Sequence, residues 1–332
     1  MRETRTATAT RHLVAVHDLD EAAVRGHFAD ADLIAALDPA EARRLLVGRL
    51  LAVLFFQPST RTRIGFEAAA LRLGATVSGF ADPSTSRSVD YIGESLEDTV
   101  AVVSELADVL VLRHFVAGAG RRAAAVSACP VVNGGDGSNE HPTQALSDTW
   151  VMTRRLGDLR GAVVGIVGDP GTRVLRSLVL TLALLRVGKI LFLVPPAAPL
   201  RTGPGTGVLH TTLPADLAAA LRASGTAHDF CGDVLDLLAE CDAVEMMPVD
   251  VPGLEADPAS LAKKAAITPE QYRITAEKIR RTSSRALILH PGPRNDELHP
   301  GVDALPGGLY LDQVRESLHL RMAVLARLCG AL

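Results

Sequence analysis

Aromatic residues are scarce in this chain of 332 residues, with one Trp, three Tyr and eight Phe making up 4%. A strong charge of either sign is also lacking, since the formal net charge is −4. Together these give no footing for nucleic acid or for an anionic membrane surface. The four cysteines, Cys129, Cys231, Cys241 and Cys329, show no CxxC spacing and no nearby histidine pair. That argues against a disulfide framework or a zinc site and reads as reduced core thiols. No run is long and apolar enough to span a bilayer, and the Thr-rich start MRETRTATATRHL has no apolar h-region. It reads as a flexible arm, over 1–10, on a cytoplasmic protein. Internal repeats, low-complexity tracts and charge blocks are absent too. A small-molecule enzyme remains, long enough for two domains with separate cores.

What is present centres on Phe55-Phe56-Gln57-Pro58-Ser59-Thr60-Arg61-Thr62-Arg63. Arg49 to Phe56 has the composition of a buried strand, Pro58 ends it, and Ile64 to Leu73 has the apolar spacing of an amphipathic helix. Three hydroxyls and two arginines thus gather where a helix begins. Unpaired backbone N–H groups and the positive end of the dipole favour an anion there, and guanidinium forks suit phosphate or carboxylate. The plainer alternative is a Ser/Thr N-cap followed by a solvated Arg face.

In chain order, a helix is expected over Asp18 to Leu37, opened by Asp18 or Asp20. After the cradle come a strand over Ala75 to Phe80, a Ser-rich loop over Ala81 to Tyr91 and a helix from about Glu94. Strands follow at Asp108 to His114 and Pro130 to Gly135, then a helix from Pro142 to about Leu156. Four alternations of strand and helix imply a parallel sheet covered on both faces. Ligands of such sheets bind beyond the carboxyl ends of the strands, where the cradle, Arg113 and His141 fall. The second half alternates again, with strands at Ala162 to Val167, Lys189 to Val194, Ala243 to Met247 and Ala286 to Leu289. A Pro- and Gly-rich loop is expected over Pro195 to Gly207 and a helix over Pro269 to Arg281. A last helix, about Tyr310 to Leu328, would return to the first domain. The fold class is therefore α/β, two doubly wound parallel-sheet domains with a returning C-terminal helix. The expected divisions are 11–152, 153–305 and 306–332. Gly165 to Gly171 lacks GxGxxG spacing, and the next strand ends in Val194-Pro195-Pro196 rather than an acid, so a nicotinamide enzyme is set aside.

With Ser59-Thr60-Arg61-Thr62-Arg63, Arg113-His114, His141-Pro142-Thr143-Gln144 and His290-Pro291-Gly292-Pro293 in this order and spacing, the chain resembles the aspartate and ornithine carbamoyltransferases. The HPGP form, Asp136-Gly137-Ser138-Asn139 and Gly93-Glu94-Ser95-Leu96 look like the aspartate branch. The resemblance implies carbamoyl phosphate on the first domain, an amino-acid acceptor mostly on the second, and a homotrimer with shared active sites. By the same resemblance, Ser59, Thr60, Arg61 and Thr62 hold the phosphate, with Ser88 and Arg87 from the loop. Thr62, Arg113 and His141 polarise the carbonyl oxygen, so Arg61, Thr62, Arg113 and His141 form the catalytic set. Gln144 fixes the carbamoyl amide, the Pro291 or Gly292 carbonyl accepts from its NH₂, and Arg173 binds the acceptor carboxylate, with Arg176 able to substitute. His290 is expected to support its loop. No metal or cofactor is implied, and the pathway would be pyrimidine biosynthesis.

Three features depart from the pattern. The loop lysine expected before the Gly-Glu-Ser-Leu helix start is replaced by Tyr91-Ile92, with Arg87 the nearest substitute. The second aspartate-binding arginine motif aligns with Met247-Pro248-Val249-Asp250-Val251-Pro252-Gly253, where Pro248 and Gly253 replace arginines. Gln57 stands where a glutamate would pair with those arginines. Both ends of one ionic contact have changed, and Asp250 disfavours a dicarboxylate, which points to a different amine acceptor or donor as the alternative. A non-catalytic trimeric binding subunit is the competing class.

Overall fold

Short runs of Val and Leu, too brief for helices, build two sheets. The computed structural model describes residues 12–85, 93–194, 213–249 and 268–332. They divide into one unit that runs through Thr143 and resumes at Leu318–Leu332, and a second over Gln144–Ser317.

In the first unit, β1 (Leu50–Phe55), β2 (Thr76–Phe80), β3 (Val109–His114) and β4 (Val131–Asp136) form an all-parallel sheet in the order β2-β1-β3-β4. Every residue of β3 and β4 is buried, as expected of strands covered on both faces. The covering helices are α1 (Glu21–Ala36), α2 (Pro39–Ala42), α3 (Thr60–Arg72), α4 (Leu96–Ser104) and α5 (Ala119–Val126). Asp20 caps α1 by accepting from Ala23 N at 2.7 Å, and Val24, His27, Phe28, Ala31 and Ile34 face inward at helical spacing. Ser95 caps α4 in the same way, its hydroxyl accepting from Asp98 N. A side chain such as Phe66 of α3, with no exposed surface, contributes about 1.5–3 kcal/mol by leaving water.

His27 is buried in this unit and its pKa is lowered to about 4, chiefly by desolvation, then by the Arg327 charge, with Asp30 opposing. Its folded value lies below the unfolded one, so the unfolded chain takes up the proton first. Stability is fully present above about pH 6.5 and declines as pH falls toward 4, with a total loss of about 3 kcal/mol. Urea unfolding at pH 7.5 and pH 4.5 should show a smaller acid loss in His27→Leu than in the parent chain. An equal loss in both would refute this assignment.

In the second unit, β5 (Val163–Val167), β6 (Lys189–Leu193), β7 (Ala227–Phe230), β8 (Ala243–Met246) and β9 (Leu287–Leu289) run parallel in the order β7-β6-β5-β8-β9. Its helices are α7 (Arg173–Leu184), α8 (Ala215–Ser224), α9 (Val234–Glu240) and α10 (Ala276–Arg281). Helix α6 (Pro142–Leu156) opens at the end of the first unit, and α11 (Tyr310–Leu328) passes from the second to the first. The core gathers Val167, Leu193, Val234, Leu237, Val244 and Ile288.

Two expectations are corrected. The helix over Pro269 to Arg281 is broken. A single turn at Glu270–Tyr272 gives way to an extended stretch, where Ile274 N donates to Glu297 O at 2.8 Å, and Thr275 then caps α10 through Lys278 N. The helix after the cradle starts at Thr60, not Ile64, which places the hydroxyls and Arg61 inside its first turn. The loop over 195–207 and the arm over 1–10 lie outside the described residues. All four cysteines are free; burial pushes Cys231 and Cys329 up to about 11 and Cys241 to about 12, so little reactive thiolate exists at neutral pH.

Candidate active site

The first unit brings its polar residues together at the carboxyl edge of its sheet. Ser59 occupies the N-cap of α3 with extended backbone, yet its side chain makes no capping hydrogen bond. The plain N-cap reading therefore fails at Ser59, and the hydroxyl remains available to a ligand at a helix N-terminus. Arg61 is half-buried, whereas Arg63 faces away and pairs with Glu67 at 3.0 Å. Thr62 is buried, and its Oγ1 stands 3.3 Å from His141 Nε2. Arg113, at the end of β3, is 9% exposed and donates from Nη1 to Gly134 O at 2.9 Å. Gly134 lets α3 approach β4. A Cβ there would lie 3.2 Å from both Thr62 Cγ2 and Leu112 O.

Strand alternation turns His114 away from Arg113. Its ring lies 4.9 Å from Phe56 and 4.4 Å from Phe115, and its Nδ1 accepts from Val116 N, so it is a packing residue. Burial, the largest cause, lowers its pKa.

The segment that delivers His141 is held by Asp136, which is 1% exposed. Asp136 accepts from Asn133 Nδ2 at 2.8 Å, from Glu140 N and Gly120 N at 3.2 Å, and from Asn139 Nδ2 at 3.3 Å. Glu140 in turn accepts from Val16 N at 2.5 Å. Gly137 sits at φ +51°, where a Cβ would come within 2.4 Å of Ala117 N. Sequence reasoning noted this stretch as a motif but gave Asp136 and Asn133 no role. The signal was Asn-Gly-Gly-Asp in a strand, a polar set that buried β4 must satisfy internally.

In the second unit, Gln144 is 8% exposed and donates from Nε2 to Asp148 Oδ1 at 2.8 Å, one helical turn on. The loop after β9 carries His290, Pro291 and Gly292. His290 Nδ1 accepts from Gly292 N at 2.8 Å, so its Nε2 donates to Glu297 Oε1 at 2.9 Å, a pairing wholly out of solvent. Both ring nitrogens are engaged in supporting the loop. Arg173 opens α7 behind Thr172, whose hydroxyl donates to Asp169 O rather than capping the helix. Arg176, three residues on, is ion-paired with Asp216 through both Nη atoms.

Pro248 and Val249 follow β8, and Gln57 Oε1 is buried without a hydrogen-bond partner among the described residues. Arg87, Ser88, Tyr91, Ile92, Asp250 and Gly253 lie outside the described residues. No group of three or more His, Cys, Asp or Glu suited to a metal occurs among the described residues, and none of their helices is long and apolar enough to cross a membrane.

Two parallel α/β units, with an anion-ready helix N-terminus beside a buried Thr, Arg and His, define a group transferase acting on an anionic donor. Family models carry this further. The carbamoyl-phosphate-binding domain of the aspartate/ornithine carbamoyltransferases matches residues 11–154, and the Asp/Orn-binding domain matches 160–328. The chain belongs to the aspartate/ornithine carbamoyltransferase family, and it is a carbamoyltransferase. An aspartate carbamoyltransferase catalytic subunit from Thermococcus onnurineus is 37% identical over 286 residues, 86% of each chain. The catalytic subunit of M. Jannaschii aspartate transcarbamoylase superposes with a TM-score of 0.80 at 33% identity, covering 96% of this chain and 98% of that one. Aspartate transcarbamoylase from Trypanosoma cruzi, solved with carbamoyl phosphate and aspartate, gives 0.78 at 27% identity and 96% of both chains.

Proposed function

We propose that the protein transfers the carbamoyl group of carbamoyl phosphate to the amine of L-aspartate as a homotrimer. The observation that carries the reading is the convergence of Thr62, His141 and Arg113 beside the start of α3. Ser59, Thr60, Arg61 and Thr62 hold the phosphate dianion against the helix N-terminus, joined by Ser88 and Arg87. Thr62, Arg113 and His141 polarise the carbonyl and stabilise the oxyanion as the amine attacks. The new C–N bond forms, the C–O bond to phosphate breaks, and the amine proton passes to the departing phosphate. One such donor is worth about 3–4 kcal/mol in the barrier, so positioning and preorganised charge suffice without a covalent intermediate. Gln144 accepts from the carbamoyl NH₂, as do the Pro291 and Gly292 carbonyls. Arg173 takes an acceptor carboxylate, and Asp250 and Gly292 are assigned to acceptor binding.

Pro248 and Gly253 stand where arginines would grip the second carboxylate, and Gln57 where a glutamate would hold those arginines, so aspartate is expected to bind with a high KM. Phosphate release from carbamoyl phosphate is measured with aspartate, ornithine and asparagine as separate acceptors. Aspartate-dependent release is the expected result. Release only with another amine would replace the acceptor, and silence with all three would turn the protein into a binding subunit.

A further inference from the structure

The second unit holds an acidic pair that the chemistry above does not use. Glu245 lies on β8 with no exposed surface, and Asp148 on α6 is equally buried. Among the described residues neither oxygen of Glu245 has a hydrogen-bond partner of ordinary geometry. Asp148 Oδ1, by contrast, accepts from two amides, Gln144 Nε2 at 2.8 Å and Gln313 Nε2 at 2.5 Å. Gln313 Oε1 then accepts from His290 N at 2.8 Å, the first residue of the Pro291-Gly292 loop. One carboxylate is thus the common anchor of two groups assigned to the carbamoyl amide.

Two carboxylates cannot both ionise in such an interior. Asp148 makes two accepting contacts, which favour its charged form. Glu245 has none of ordinary geometry, and it is pushed well above the carboxylate range by desolvation first and the Asp148 charge second, with a side-chain interaction from Gln313 opposing. We propose that Glu245 and Asp148 share one negative charge, Glu245 neutral and Asp148 ionised, and that Asp148 so fixed is the positioning residue for Gln144 and the His290 loop. The consequence for Gln144 is directional. Its NH₂ is committed to Asp148, so its Oε1 is the atom presented to a carbamoyl NH₂.

This inference rests on the carbamoyl phosphate reading, and the test separates the two. Infrared difference spectra of the full chain against Glu245→Gln at pH 7 should contain a protonated-carboxyl C=O band that the variant lacks. Its absence overturns the shared charge whatever the enzyme turns over. Asp148→Ala should weaken phosphonoacetamide binding about tenfold while leaving inorganic phosphate within about twofold. Asp148→Asn, which keeps an acceptor, should recover most of the difference. Should Asp148→Ala not fold, Asp148→Ser, too short to reach either amide, takes its place. Equal weakening of both ligands, or no weakening of either, overturns the positioning role. Absence of carbamoyl phosphate turnover by the parent chain would instead count against the proposed function.

Discussion

Arg113→Met is expected to lower kcat by about 10²–10³ while the KM for carbamoyl phosphate changes little. The basis is the place of the guanidinium. It is almost wholly out of water, tied by Nη1 to Gly134 O, at a strand end in the unit that also holds the Thr62–His141 contact. A fixed donor in a dry site acts on charge that develops during the reaction and costs no reorganisation when it does. On the proposed reading, phosphate affinity resides mainly in the first turn of α3, which the substitution does not touch. Single-turnover and steady-state phosphate release, together with inorganic phosphate inhibition, check the split. A large loss of phosphate inhibition with intact kcat would move Arg113 from the carbonyl to the phosphate.

The second large effect concerns a residue with no direct part in the chemistry. Asp136→Ala should cost about 3–5 kcal/mol, since four donors converge on a buried carboxylate and its removal leaves them unsatisfied. For a unit of this size that is a fall in Tm of about 10 °C. Activity should fall with it below the transition, because the turn from Asp136 to Glu140 sets the position of His141. Calorimetry and activity at 20 °C provide the two readouts. An unchanged Tm would show that water or a local shift satisfies the donors and that Asp136 does not brace the site.

The strands β1, β3, β4, β5 and β8 were legible in the sequence because their runs are bounded by Pro, Gly, Asp or Asn and are buried along all of β3, β4 and β8 and all but the first residue of β1 and β5. β7 was not, for the opposite reason. All four of its residues, Ala227–Phe230, are exposed at the sheet edge and carry no apolar pattern. α8 and α9 flank it with too few buried positions to stand out. At the site, the motif residues were legible because hydroxyl, Arg and His clusters state their chemistry at short range. Asp148, Gln313 and Glu245 were not, since they meet only through the fold. An acid inside Ala243–Met246 reads as an ordinary strand residue until its surroundings are known. The Arg176 substitution was suggested by proximity in sequence to Arg173, and the ion pair of Arg176 with Asp216 on α8 was not legible because the two meet only through the fold.

The first unit is discontinuous along the chain, closed by residues 318–332. Arg321 lies against α3, its guanidinium 5.8 Å from the Phe66 ring and filling the space a side chain at Gly65 would need, while Arg327 grips Asp30 of α1. During synthesis the second unit is therefore fully translated before the first can finish. The helix that begins at Ser59 to Thr62 acquires its last packing partners only after residues 318–332 have been made. A chain lacking residues 318–332 would thus lose support beneath the proposed phosphate site itself, and a chain not yet translated that far would not carry a completed one.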